Sequence, residues 1–128
     1  MSLFKFLGGA TIALCLSACT APTRQDIGEF ATLSEGMIAK KDTQLFADCL
    51  LDGFDRSHSP LMEISARQQR RADSYRVETL FGQELYVSAD IFDDGRVKLL
   101  ESSRARLLNT RGEKEAYQVC YERFRLKP

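Results

Sequence analysis

The sequence predicts an α+β fold: two or three N-terminal helices packed on a four-stranded antiparallel meander sheet. Three observations predict it. Residues 26–54 and 60–72 carry helix signatures, residues 75–124 shift to a two-residue period, and short turn words separate the alternating runs. At 128 residues, 44% hydrophobic and 28% charged, the chain has the make-up of one small folded domain. Lys plus Arg and Asp plus Glu balance at 18 each, which argues against a general nucleic-acid binder. With one His, a multi-histidine metal site is excluded; Trp is absent.

The elements are justified in order. Asp26 can cap a helix with Glu29 three residues on, and Phe30, Leu33 and Met37 follow at helical spacing. Lys40 to Thr43 interrupts the stripe. Asp42 or Thr43 then caps a segment in which Leu45, Phe46, Cys49, Leu50 and Phe54 share a broad face, with Gly53 as its end. Ser59-Pro60 has the form of a helix start, and residues 60–72 are good helix formers. The same stretch alternates at Met62, Ile64 and Ala66, so an edge strand is the competing reading.

Beyond Asp73, Tyr75, Val77, Thr79 and Phe81 alternate, and Gly82-Gln83 makes a tight connection. Leu85, Val87, Ala89 and Ile91 line one face of the next strand, with Tyr86 and Phe92 on the other. Asp93-Asp94-Gly95 is the strongest hairpin turn in the chain. The return strand begins at Val97 and runs through Arg104 to Leu108; residues 109–112 turn again, and a last strand follows through Tyr117, Val119 and Tyr121.

The amino terminus reads as an address. Lys5 is followed by a short uncharged run, Leu7 to Leu16, of about ten residues, where a membrane-spanning helix needs roughly 20. The run ends in Leu16-Ser17-Ala18-Cys19, which resembles the lipobox of bacterial lipoproteins. The resemblance implies cleavage before Cys19 and attachment of diacylglycerol and palmitate-type acyl chains to that residue. It further implies anchoring in the outer membrane facing the periplasm, since Thr20 stands where Asp would mark inner-membrane retention; the inner membrane is the alternative. The chain then divides into a signal peptide (1–18), a lipidated tether (19–26) and an α+β domain (27–128).

Cys15 lies within the discarded run, so Cys49 and Cys120 remain beside Cys19. In an exported small domain such a pair is expected to form a disulfide, here stapling the helical layer to the last strand. Residues 20–55 carry a net −4 and residues 56–128 a net +3, a polarity that ordinary solvated surface accounts for.

No Walker A, GxSxG, HExxH or dinucleotide-binding glycine motif is present. His58 sits in the polar stretch Asp55-Arg56-Ser57-His58-Ser59 and reads as a solvated loop residue. Asp90, Asp93 and Asp94 lack the spacing of a calcium loop and read as turn chemistry. Arg67, Arg70 and Arg71 form the densest basic group; on a helix, positions 67 and 71 share a face that can meet phosphates or carboxylates.

Lys41-Asp42-Thr43-Gln44-Leu45-Phe46-Ala47 and the hairpin Phe92 to Val97, taken with the element order, faintly resemble cystatin-like and nuclear-transport-factor-like cone folds. That resemblance implies a cone-shaped pocket. The lipobox, the disulfide-stapled small body and the absence of catalytic motifs give the leading expectation: a non-enzymatic lipoprotein acting as an interaction or assembly module, without catalytic residue, metal or cofactor. Its partners would be the membrane, through Cys19, and an envelope protein, not nucleic acid. A binding module for a small ligand, envelope glycan or lipid is the first alternative, and a small hydrolase or lyase using His58 the second.

Overall fold

The computed structural model describes residues 29–127, without the side chains of residues 106 and 107. The element order is β1 (Phe30–Met37), α1 (Thr43–Arg56), β2 (Ile64–Arg70), β3 (Ser74–Phe81), β4 (Glu84–Phe92), β5 (Arg96–Ser102) and α2 (Arg111–Phe124). A short 3-10 turn precedes α1, and another, Ser103–Leu107, follows β5. The return strand therefore ends at Ser102 rather than running on to Leu108, because the Ser102 hydroxyl accepts from the Arg104 N–H at 3.1 Å and caps the turn. The strands form one antiparallel sheet in the order β1-β5-β4-β3-β2. The α+β class and the β3–β4–β5 succession agree with the pattern in the sequence, and three element assignments are corrected.

Phe30 to Met37 is a strand, not a helix. It pairs with β5, some sixty positions away, and a bulge between Thr32 and Ser34 accommodates Leu33. Phe30, Leu33 and Met37 are spaced for a helix, and in the strand Leu33 and Met37 are left exposed; pairing with the vacant edge of β5 overrides the stripe. Residues 64–70 also form a strand, the edge-strand alternative, because antiparallel pairing with β3 outweighs the helix propensity of Arg and Gln. Ser59-Pro60 opens a turn: the Leu61 N–H reaches the Ser59 hydroxyl at 3.3 Å. The expected last strand is α2, in which Glu113, Tyr117 and Cys120 are buried at helical spacing. The sheet therefore has five strands rather than four, and one helix follows it.

Alternation sets what each face carries. Val77, Val87, Ala89, Ile91, Val97 and Leu99 point to the face covered by the helices. Against them pack Phe46, Leu50 and Phe54 of α1 and Tyr117 of α2, all fully buried. Complete burial of each such aliphatic or phenylalanine side chain stabilises by about 1.5–3 kcal/mol. Phe46 meets the rings of Tyr117 and Phe124 edge-on at 5.9 and 6.0 Å. Leu45, assigned to this face by spacing, is exposed.

The β4–β5 turn has the Asp93-Asp94-Gly95 form that the sequence announces. Gly95 has φ +95°, and a Cβ there would collide with the Ile38 carbonyl oxygen. Asp94 accepts from the Arg96 backbone N–H at 3.0 Å and from its guanidinium at 2.7 Å. Tyr86 and Phe92, assigned together to the opposite face, do not share one environment. Tyr86 is buried at a bulge in β4 and donates to Glu84 at 3.0 Å, while Phe92 lies under the Arg96 guanidinium.

Candidate functional site

The two helices run antiparallel and meet along small residues. On α1 and the residue after it, Cys49, Gly53 and Ser57 are spaced by four; on α2, so are Gly112, Ala116 and Cys120. Four-residue spacing places each set on one helix face. Cys49 is bonded to Cys120, with Cα atoms 6.0 Å apart. A Cβ on Gly53 would stand 2.7 Å from that of Ala116, and one on Gly112 would stand 2.8 Å from that of Ser57. Gly53 therefore does not end α1, which continues to Arg56; it lets α2 approach. The disulfide is the expected one, but it staples helix to helix rather than helix to sheet, because Cys120 lies on α2.

His58 closes the end of this seam. It is not a solvated loop residue: its side chain is 10% exposed, and its Nε2–H is hydrogen-bonded to Oε1 of Glu113, whose side chain is fully buried. Neither Asp55 nor Ser57 is its partner. Ser57 donates its hydroxyl to the Gly53 carbonyl at 2.7 Å. Glu113 is the third residue of α2 and His58 follows the C-terminal end of α1. Helix dipoles favour an anion at the first of these places and a cation at the second. The second carboxylate oxygen, Glu113 Oε2, has no hydrogen-bond partner.

Glu113 escaped the reading of the sequence although a signal for it exists. Thr110-Arg111-Gly112-Glu113 has the form of a capping box. Both of its side chains are diverted: the Thr110 hydroxyl donates to Glu101 at 3.0 Å, and Glu113 turns to His58. Thr110 therefore makes no cap bond to α2, and the first N–H of the helix, that of Arg111, is taken instead by the Asn109 side-chain oxygen at 3.0 Å.

The arginine cluster lies at the edge of the sheet, not on a helix. Arg67 reaches Glu78 at 3.4 Å. Arg70 binds Asp93 through two bonds of 2.7 Å and lies over the Tyr75 ring at 4.6 Å. That fork raises the Arg70 pKa and holds the Asp93 carboxyl below the ordinary carboxylate range. Asp94 is likewise lowered, first by the Arg96 N–H and then by its guanidinium. Arg71 makes no ion pair among the described residues. Asp90 is buried and takes a 2.8 Å bond from Arg76, the residue it faces across β3 and β4.

A hollow of about 220 Å³ lies between β1, β5 and α2, lined by Leu33, Ser34, Leu99, Lys114, Tyr117 and Gln118. Burial pushes the Tyr117 phenol up to about 12, with Ser34 opposing the shift in part. Among the described residues, no three His, Cys, Asp or Glu side chains gather where they could hold a metal ion. No described helix is long and apolar enough to cross a membrane. Cys19, the signal peptide and tether expected over residues 1–26, and the cap expected at Asp26 lie outside the described residues. No protein-family model, curated protein or solved structure matches this chain.

Proposed function

We propose that the mature chain is a lipid-anchored, non-enzymatic lipoprotein of the outer membrane, facing the periplasm and serving as an interaction or assembly module of the envelope. One observation carries the proposal: Leu16-Ser17-Ala18-Cys19 at the end of a short apolar run behind Lys5. The Cys49–Cys120 bond supports it, since such bonds persist in oxidising compartments. The open edge of β2 also supports it. Among the described residues that strand pairs only with β3, and an unpaired strand edge is where a partner strand can add.

The engagement of His58 supports the non-enzymatic part. Its ring is held by a buried carboxylate at a helix–helix seam, and the neighbouring Ser57 hydroxyl is directed to a backbone carbonyl. A general base with a nucleophile would need those groups turned toward a substrate.

The test is the fate of a Cys19→Ala variant in the native host. The parent chain fractionates with the outer membrane and incorporates labelled palmitate. The variant loses the label and appears in the soluble periplasm. Continued membrane fractionation of unlabelled Cys19→Ala protein overturns the anchor.

A further inference from the structure

We propose that one end of the sheet docks on the bilayer that holds the lipid anchor, with Leu61, Met62 and Phe81 entering the lipid interface. The proposal rests on the reading of Cys19 as the lipidated residue and adds the orientation of the body.

In this antiparallel sheet, the start of β1, the end of β5, the β3–β4 turn and the start of β2 all fall at one end. Phe30 faces Ser102, Val87 faces Glu101, Phe81 faces Glu84, and Ile64 faces Phe81. The chain from Cys19 enters β1 at that end. Residues 19–28 number ten and reach about 33–36 Å at full extension. A five-stranded sheet is about 19 Å wide between its edge strands. The anchor can therefore hold this whole end at the membrane surface.

The same end exposes apolar side chains. Leu61 is 95% exposed, Met62 44% and Phe81 40%. They are neighbours: the Gly82 N–H, next to Phe81, bonds to the Glu63 carbonyl at 3.3 Å, tying the β3–β4 turn to the segment that carries Leu61 and Met62. Arg104, half-exposed and only 3.8 Å from Glu84, adds a guanidinium suited to lipid phosphate. Glu63 and Glu84 at this end keep the contact shallow, an interfacial one rather than insertion. Met37 and Leu126 make a second exposed apolar pair, joined by a backbone bond of 3.2 Å, but at the far end of β1. The point at which the tether enters separates the two.

The chain contains no Trp, so one introduced Trp is a unique reporter. Full-length lipidated Leu61→Trp and Met37→Trp proteins are reconstituted into phosphatidylethanolamine–phosphatidylglycerol vesicles, with and without brominated acyl chains. Both sites are solvent-exposed, so neither substitution disturbs the core. Leu61→Trp is expected to shift to the blue and to be quenched by bromine, and Met37→Trp to do neither. If both proteins float with the vesicles and neither is quenched, docking is wrong, the anchor stands, and the patch passes to a protein partner. Quenching of Met37→Trp alone reverses the orientation and overturns the proposal. Protein that does not float with the vesicles overturns the anchor and the docking together.

Discussion

His58 and Glu113 stand fifty-five positions apart in sequence and are hydrogen-bonded side by side where α1 ends and α2 begins. A pair removed from water this far is costly to break and contributes little net stability when whole. His58→Ala leaves the Glu113 carboxylate buried without its partner and is expected to lose about 3–5 kcal/mol in urea unfolding. Replacing both by apolar residues, His58→Leu with Glu113→Leu, is expected to recover most of that loss. A double variant no more stable than His58→Ala would show that the seam depends on the polar pair itself.

The seam also depends on the absence of a side chain at Gly53. Gly53→Ala would place a methyl 2.7 Å from the Ala116 methyl. Overpacking of this kind costs about 1–3 kcal/mol. Ala116→Gly on the same background vacates the space, and the midpoint of thermal unfolding is expected to rise again. A Gly53→Ala protein as stable as the parent would show that α2 can move away freely, contrary to a close-packed interface.

Reduction tests the other end of the same seam. The Cys49–Cys120 bond closes a loop of 71 positions, worth about 4 kcal/mol on the chain-entropy account. The Cys49→Ala, Cys120→Ala protein should be less stable by that order, and thiol labelling of unreduced parent protein should leave both cysteines unmodified. Labelling of both without reductant would falsify the bond.

Tyr117 predicts an alkaline limit. Its pKa is raised by burial to about 12 in the folded chain, against an ordinary value of 10.0. The folded state therefore favours the protonated phenol. This stability is fully present below pH 10 and is lost as pH rises from 10 toward 12. Two pKa units correspond to roughly 2–3 kcal/mol. Tyr117→Phe should show a flatter profile between pH 10 and 12, read as the difference from the parent so that other titrations cancel. Parallel profiles would remove Tyr117 as the cause.

The hairpin carboxylates act at the opposite limit. Asp93 and Asp94 are lowered by Arg70 and Arg96, so their contribution is present above about pH 3.8 and falls away as pH drops through the lowered values. Both are solvent-exposed, and the effect is expected to be small and to weaken in high salt. Asp93→Asn, compared with the parent in an acid titration at low and high salt, should remove the salt-sensitive part.

What the sequence determined by itself is local, apart from one pairing fixed by the chemistry of cysteine. The helix from Thr43, the strands on either side of Gly82, the turn at Asp93-Asp94-Gly95 and the pairing of Cys49 with Cys120 follow from spacing, turn chemistry and the count of cysteines. The tertiary structure alone decided the rest. Phe30 to Met37 carries apolar residues at helical spacing, and Tyr117 to Phe124 carries apolar residues that fit both the helical and the extended period. The first became a strand because β5 offers an edge about sixty positions away, and the second a helix because α1 offers a groove lined by small residues. The His58–Glu113 contact depends on both outcomes, and the arginines at 67 and 70 meet their carboxylates only once β2 is a strand. Partners so distant in the chain leave no periodic mark on it, since their attraction operates only after the elements between them have folded back.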